Sequence, residues 1–98
     1  MIQAFPQNVI TIKGGIIMKT LEKLASIIRK NTEWKEDIHP DDHLVNDLGI
    51  DSLDVLLIVG DLEDEFHITI DTDEIKEMKY VKDVVAKLEE LMVTRHVN

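Results

Sequence analysis

Ser52 is the residue best placed to do chemistry in this sequence, because its hydroxyl falls at a helix start that another residue can cap. In Asp47-Leu48-Gly49-Ile50-Asp51-Ser52-Leu53-Asp54 a loop ends at Gly49, and an apolar-periodic run begins just after Asp51. Asp51 suits the N-cap position, and Asp54 three residues on gives the spacing of a capping box. Ser52 then takes the first helical position. There a side chain protrudes beside backbone N–H groups that have no partner inside the helix. The hydroxyl is free to carry a group, and the helix dipole favours an anionic one.

Other chemistries fit less well. Gly49-Ile50-Asp51-Ser52 is not Gly-x-Ser-x-Gly, and no strand precedes it, so a hydrolase serine is not expected. His39, His43, His67 and His96 stand in no motif relation to the serine. His39-Pro40-Asp41-Asp42-His43 contains metal-ligating residue types, but Pro40 breaks the helix that would align them, and a solvated loop is expected. Asp71-Thr72-Asp73-Glu74 lacks the glycine and the final spacing of a calcium loop. With no cysteine in the chain, disulfides and thiolate sites are excluded, and any thiol must be imported.

The elements that must position Ser52 are helical. Leu21, Leu24, Ala25 and Ile28 recur at i, i+3, i+4 and i+7 after Thr20, a plausible N-cap. That helix fades near Asn31-Thr32. A long connection from about Glu33 to Ile50 follows, with Trp34, Ile38, Leu44, Val45 and Leu48 available to pin it. A second helix is predicted over Ser52 to Phe66, a short third from Thr72 to Met78, and a last from Val81 to Val93. Acids at Asp71, Asp73 and Glu74 suit the third helix's start. Residues 1–17 differ from the rest. Lys13-Gly14-Gly15 can be encoded by a purine-rich ribosome-binding sequence ahead of Met18, so 1–17 is expected to be a disordered extension or translated leader, and 18–98 the domain.

At 98 residues the chain makes one small domain. Its net charge is −9, and fifteen of the twenty acids lie between Glu36 and Glu77 with one base, Lys76. Such a surface repels nucleic acid and anionic lipid and steers toward basic partners. No apolar stretch approaches a membrane span. The crowded carboxylates repel one another, so salt or divalent cations are expected to raise the melting temperature.

Leu48-Gly49-Ile50-Asp51-Ser52-Leu53-Asp54, followed by Asp61-Leu62-Glu63-Asp64-Glu65-Phe66 in so short a chain, resembles the attachment site of the acyl carrier protein family. The likeness extends from about Met18 to Leu91. It implies an all-α, right-handed up-down four-helix bundle with a short third helix and a long first loop. It also implies a non-enzymatic carrier. A phosphopantetheinyl transferase would move 4′-phosphopantetheine from coenzyme A onto Ser52, and acyl groups would ride on the arm as thioesters. Asp51, Asp54, Glu63 and Asp64 match acidic positions through which such carriers dock basic patches on synthases, ligases or transacylases. Leu57 and Asp61 on the same helix complete the expected docking set. The resemblance further implies a cytoplasmic monomer serving fatty-acid or related acyl biosynthesis, with an acyl chain held between the second and third helices.

Three residues depart from the family pattern. Leu57 replaces a common glutamate and makes the docking surface more apolar. Gly60 replaces an apolar residue and is expected to enlarge or loosen the acyl side of the core. Tyr80 stands where a threonine often caps the last helix. These departures hint at a specialised carrier. D-alanyl, polyketide and peptide synthase carriers are the related alternatives, although Ile50 and Asp51 differ from the Gly-Gly-His/Asp-Ser motif usual in peptidyl carriers. An unmodified acidic adaptor is the alternative of a different class.

Overall fold

The computed structural model describes residues 19–97, and the extension expected over 1–17 lies outside them. Among the described residues there are four helices: α1 (19–31), α2 (Ser52–Phe66), α3 (Thr72–Lys76) and α4 (Val81–Val97). No strand occurs among the described residues, so the fold is all-α, with the short third helix and long first loop that were expected.

α1 buries Leu24, Ala25, Ile27 and Ile28, the stripe that its apolar spacing dictates. Thr20 is not its cap. The helix already includes residue 19, and Thr20 is buried, donating its hydroxyl to the Glu89 carboxylate on α4. α1 stops where two side chains fold back on its last carbonyls. Asn31 Nδ2 donates to Ile27 O at 2.9 Å and Thr32 Oγ1 to Ile28 O at 2.8 Å, local bonds that compete with helix continuation.

The connection that follows is held by its own apolar residues. Ile38, Leu44, Leu48 and Ile50 are buried, and Trp34 packs partly against the core. Val45 does not pin it. Leu44 and Leu48 share the inner side of a turn, which leaves Val45 facing out at 58% exposure.

This loop also caps α4. Tyr80 lacks a capping hydroxyl on a short side chain, but the Asp83 carboxylate accepts from its N–H at 3.1 Å. The next two N–H groups, of Val81 and Lys82, donate to Asp42 O at 3.0 Å and Pro40 O at 2.9 Å. Leu44 N–H donates to Lys79 O at 2.8 Å, and His43 pairs with Tyr80 in an isolated antiparallel bridge. Their rings meet edge to face at 5.4 Å. The orphan donors of the helix start are thus met by backbone some forty residues away in sequence.

α3 is shorter than the predicted Thr72–Met78. Glu77 and Met78 bond three residues back, to Glu74 O and Ile75 O, and that tightening ends the helix. α4 runs past Val93 to Val97, because no glycine or proline follows to stop it. Leu24, Ile28, Leu62, Val81 and Leu88 form the fully buried centre. Gly60 lies on the outer side of α2, where an added Cβ would meet nothing within 4 Å. It therefore neither enlarges nor loosens the core, contrary to expectation. Among the described residues no helix is long and apolar enough to cross a membrane.

Candidate functional site

The approach to Ser52 is built by a backbone reversal. Gly49 has φ +71°, a left-handed conformation that favours glycine. Its N–H donates to Val45 O and the Ile50 N–H returns to Leu44 O, both at 3.0 Å, burying Ile50 and delivering Asp51 to the surface. Asp51 then takes an extended conformation (φ −107°, ψ −176°) as the N-cap.

The capping box is made by two aspartates. Asp51 Oδ1 accepts from the Asp54 N–H at 2.9 Å, and Asp54 Oδ2 accepts from the Asp51 N–H at 3.3 Å. The first helical bond runs from Val55 N–H to Asp51 O at 3.0 Å. Ser52 is exposed at the first helical position, and its hydroxyl is engaged by no group among the described residues. A phosphodiester on that oxygen fits here: the hydroxyl is exposed and unengaged at the start of α2, where the helix dipole favours negative charge.

Of the residues expected to dock partners, Asp54, Leu57, Asp61 and Asp64 stand at i, i+3, i+7 and i+10 on one side of α2, and Glu63 lies on another. Asp51 and Asp64 are exposed at opposite ends of α2, and Leu57 lies between them at 49% exposure. Asp54 is spent in the cap. Asp61 turns toward α1, where Asn31 Nδ2 donates to it at 2.9 Å and Lys30 Nζ lies 3.4 Å away. The Asn31 bond first, and Lys30 with it, hold its carboxyl below the usual range. Glu63 turns the other way and accepts from Ile70 N–H at 2.8 Å, fixing the α2–α3 connection. Glu65, 2.9 Å from Lys23 on α1, is likewise held low by that lysine.

Two exposed leucines belong to this surface and were not singled out from the sequence. Leu53 is 64% and Leu56 53% exposed. Their spacing from the buried Ile58 and Leu62 was the available signal. His43 is also more than a solvated loop residue. Its Nδ1 accepts from Val45 N–H at 3.2 Å and Asn46 N–H at 3.0 Å, so the ring holds the turn before Gly49. Beneath the turn lies a small apolar cavity of about 40 Å³ between α2, α3 and the loop, bordered by Val45, Ile50, Val55, Ile58, Ile75 and Met78. It is close to the volume of one or two water molecules.

The family model for the phosphopantetheine attachment site matches residues 22–88, which include this whole arrangement. The chain is 39% identical over 77 residues to an acyl carrier protein of Exiguobacterium sibiricum, covering 79% of this chain and 94% of that one. It is 37% identical over 91 residues to the acyl carrier protein AcpXL of Rhizobium meliloti, covering 81% and 96%. Among solved structures, the acyl carrier protein of Thermotoga maritima superposes with a TM-score of 0.69 at 25% identity, covering 85% of this chain and 95% of that one. Likeness of this breadth shows that the chain belongs to the acyl carrier proteins, carriers rather than enzymes that work through a covalently attached 4′-phosphopantetheine.

Proposed function

We propose that Ser52 is the residue that bears the 4′-phosphopantetheine, and that the protein is a cytoplasmic, monomeric carrier of acyl groups. The observation that carries this reading is the division of labour at the start of α2. Asp51 and Asp54 satisfy the cap between them, and Ser52 keeps an exposed, unengaged hydroxyl beside the first-turn amides. The arm supplies a thiol, which the cysteine-free chain lacks, for holding acyl groups as thioesters. Ser52 presents the arm to solvent, Gly49 and His43 hold the turn that aims the helix start, and the apolar cavity offers a place for the first carbons of a cargo.

Service in a specialised acyl pathway is the favoured role within the family. AcpXL proteins stand among the relatives, and Leu57 with Gly60 sets α2 apart from the usual acidic helix. A general fatty-acid role is the alternative, and identifying the ligase or transacylase that charges the thiol separates the two.

The test is intact-mass analysis of the full chain after incubation with a phosphopantetheinyl transferase, coenzyme A and magnesium. The parent should gain one phosphopantetheinyl group. Ser52→Ala should gain none while keeping its helical circular dichroism and Tm. An arm on the Ala variant would rule Ser52 out, and no gain on the parent would favour an unmodified acidic adaptor.

A further inference from the structure

Lys76 is the one base between Glu36 and Glu77, against fifteen acids, and its place in the fold is particular. It ends α3, is exposed, and borders the small apolar cavity together with Val55 of α2. Val55 follows Ser52 by three residues, so the two are neighbours on the surface of α2. Ser52 therefore stands one helical turn from a cavity that Lys76 borders from the other helix. On the α1 side of α2 the lysines already have acids: Lys23 pairs with Glu65 and Lys30 with Asp61. Lys82 and Lys87 of α4 pair with Asp41 and Glu74. Lys76 pairs with no acid among the described residues, although Asp73 and Glu77 are close to it in sequence.

A phosphodiester on Ser52 brings a third negative charge to a place that already has two. Asp51 precedes Ser52 and Asp54 follows it by two, and their carboxylates take the cap bonds of the helix start. The positive end of a helix dipole amounts to about half an elementary charge, which does not balance three anions. We propose that Lys76 is the counter-cation of the arm, its ammonium pairing with the phosphodiester on Ser52. The proposal rests on Ser52 as the attachment residue and adds to it a positioning residue on α3. A lysine suits the task, being a compact point charge on a flexible four-carbon stem and a good partner for phosphate. The pairing draws the arm to the α3 side of α2, toward the cavity. Because Lys76 is exposed, the pair contributes modestly to stability and is screened by salt.

The test loads the full chain and its variants to completion with a phosphopantetheinyl transferase and coenzyme A, checked by intact mass. Two readouts follow at low salt: the phosphorus NMR resonance of the phosphodiester, and the difference in Tm between each holo form and its own apo form. Lys76→Gln should move the resonance and lower the holo-minus-apo difference by about 3 °C relative to the parent. Lys76→Arg should restore both. Lys79→Gln changes the net charge equally but at a residue that does not border the cavity, and it should alter the difference by less than about 1 °C. The Lys76 effect should fade in about 0.5 M NaCl. Referring each holo form to its own apo form removes any effect of the substitution on folding itself. Equal effects of Lys76→Gln and Lys79→Gln would leave only long-range charge and overturn the proposal, as would a phosphorus resonance that Lys76→Gln leaves in place. Failure of Lys76→Gln alone to accept the arm would assign the lysine to the transferase contact and overturn it too. Failure of the parent to accept the arm, or transfer to Ser52→Ala, would instead remove the Ser52 assignment beneath it.

Discussion

Whether a helix-start serine can be modified depends on what its neighbours do, and here two aspartates relieve Ser52 of the capping role. That much is local in sequence and legible from three-residue spacing. Gly60 shows where residue type alone misleads. Read from the sequence it seemed to loosen the core, yet it stands on the solvent side of α2 with room for a methyl group. Gly60→Ala should therefore stabilise the protein by about 1 kcal/mol, through helix propensity alone, and raise Tm by roughly 4–8 °C. Thermal unfolding by circular dichroism checks this, and a lowered Tm would mean that the position is not open. Thr20 and Val45 were misread for a related reason. Both needed knowledge of where the neighbouring helix or turn points, and one-dimensional spacing does not contain it.

Among the elements, α2 was readable end to end because chemistry marks its start and an apolar stripe runs through to Phe66. The last helix starts at Val81 as its spacing predicts, but its end overran Val93 for want of a stop signal, and its cap was hidden because Pro40 and Asp42, which supply it with Asp83, lie on a loop some forty residues upstream. α1 and α2 are joined along one side by Asn31 and Lys30 to Asp61 and by Lys23 to Glu65. Both carboxyls are held below their ordinary values of 3.8 and 4.5, so folding releases protons from them in acid. A depressed folded value gives stability that is full above the unfolded value and is lost as pH falls through the folded one. The double variant Asp61→Asn, Glu65→Gln should then melt modestly below the parent near pH 7 in about 0.1 M salt, where long-range repulsion is screened. The difference should close as pH drops below about 4. A Tm series against pH reads it directly, and a gap that persists in acid would assign the loss to packing instead.

At the scale of the molecule, fifteen acids with one base between Glu36 and Glu77 outweigh the few cations that reach them from the flanks. Lys23, Lys30, Lys82 and Lys87 answer Glu65, Asp61, Asp41 and Glu74, and many of the remaining carboxylates repel one another across the surface. Magnesium chloride at about 10 mM should accordingly raise Tm by several degrees, more than sodium chloride of equal ionic strength, as differential scanning calorimetry would show. An unchanged Tm would mean that the acids are too far apart to matter. The small cavity beneath the Gly49 turn has a different consequence, in volume rather than charge. An apolar void of about 40 Å³ is space that the folded protein holds and the unfolded chain gives up to solvent. The folded state is in that respect the bulkier one, and hydrostatic pressure acts against it. If the first carbons of a cargo occupy the void, as proposed above, that disadvantage is removed, and the laden carrier is then expected to resist compression better than the bare one.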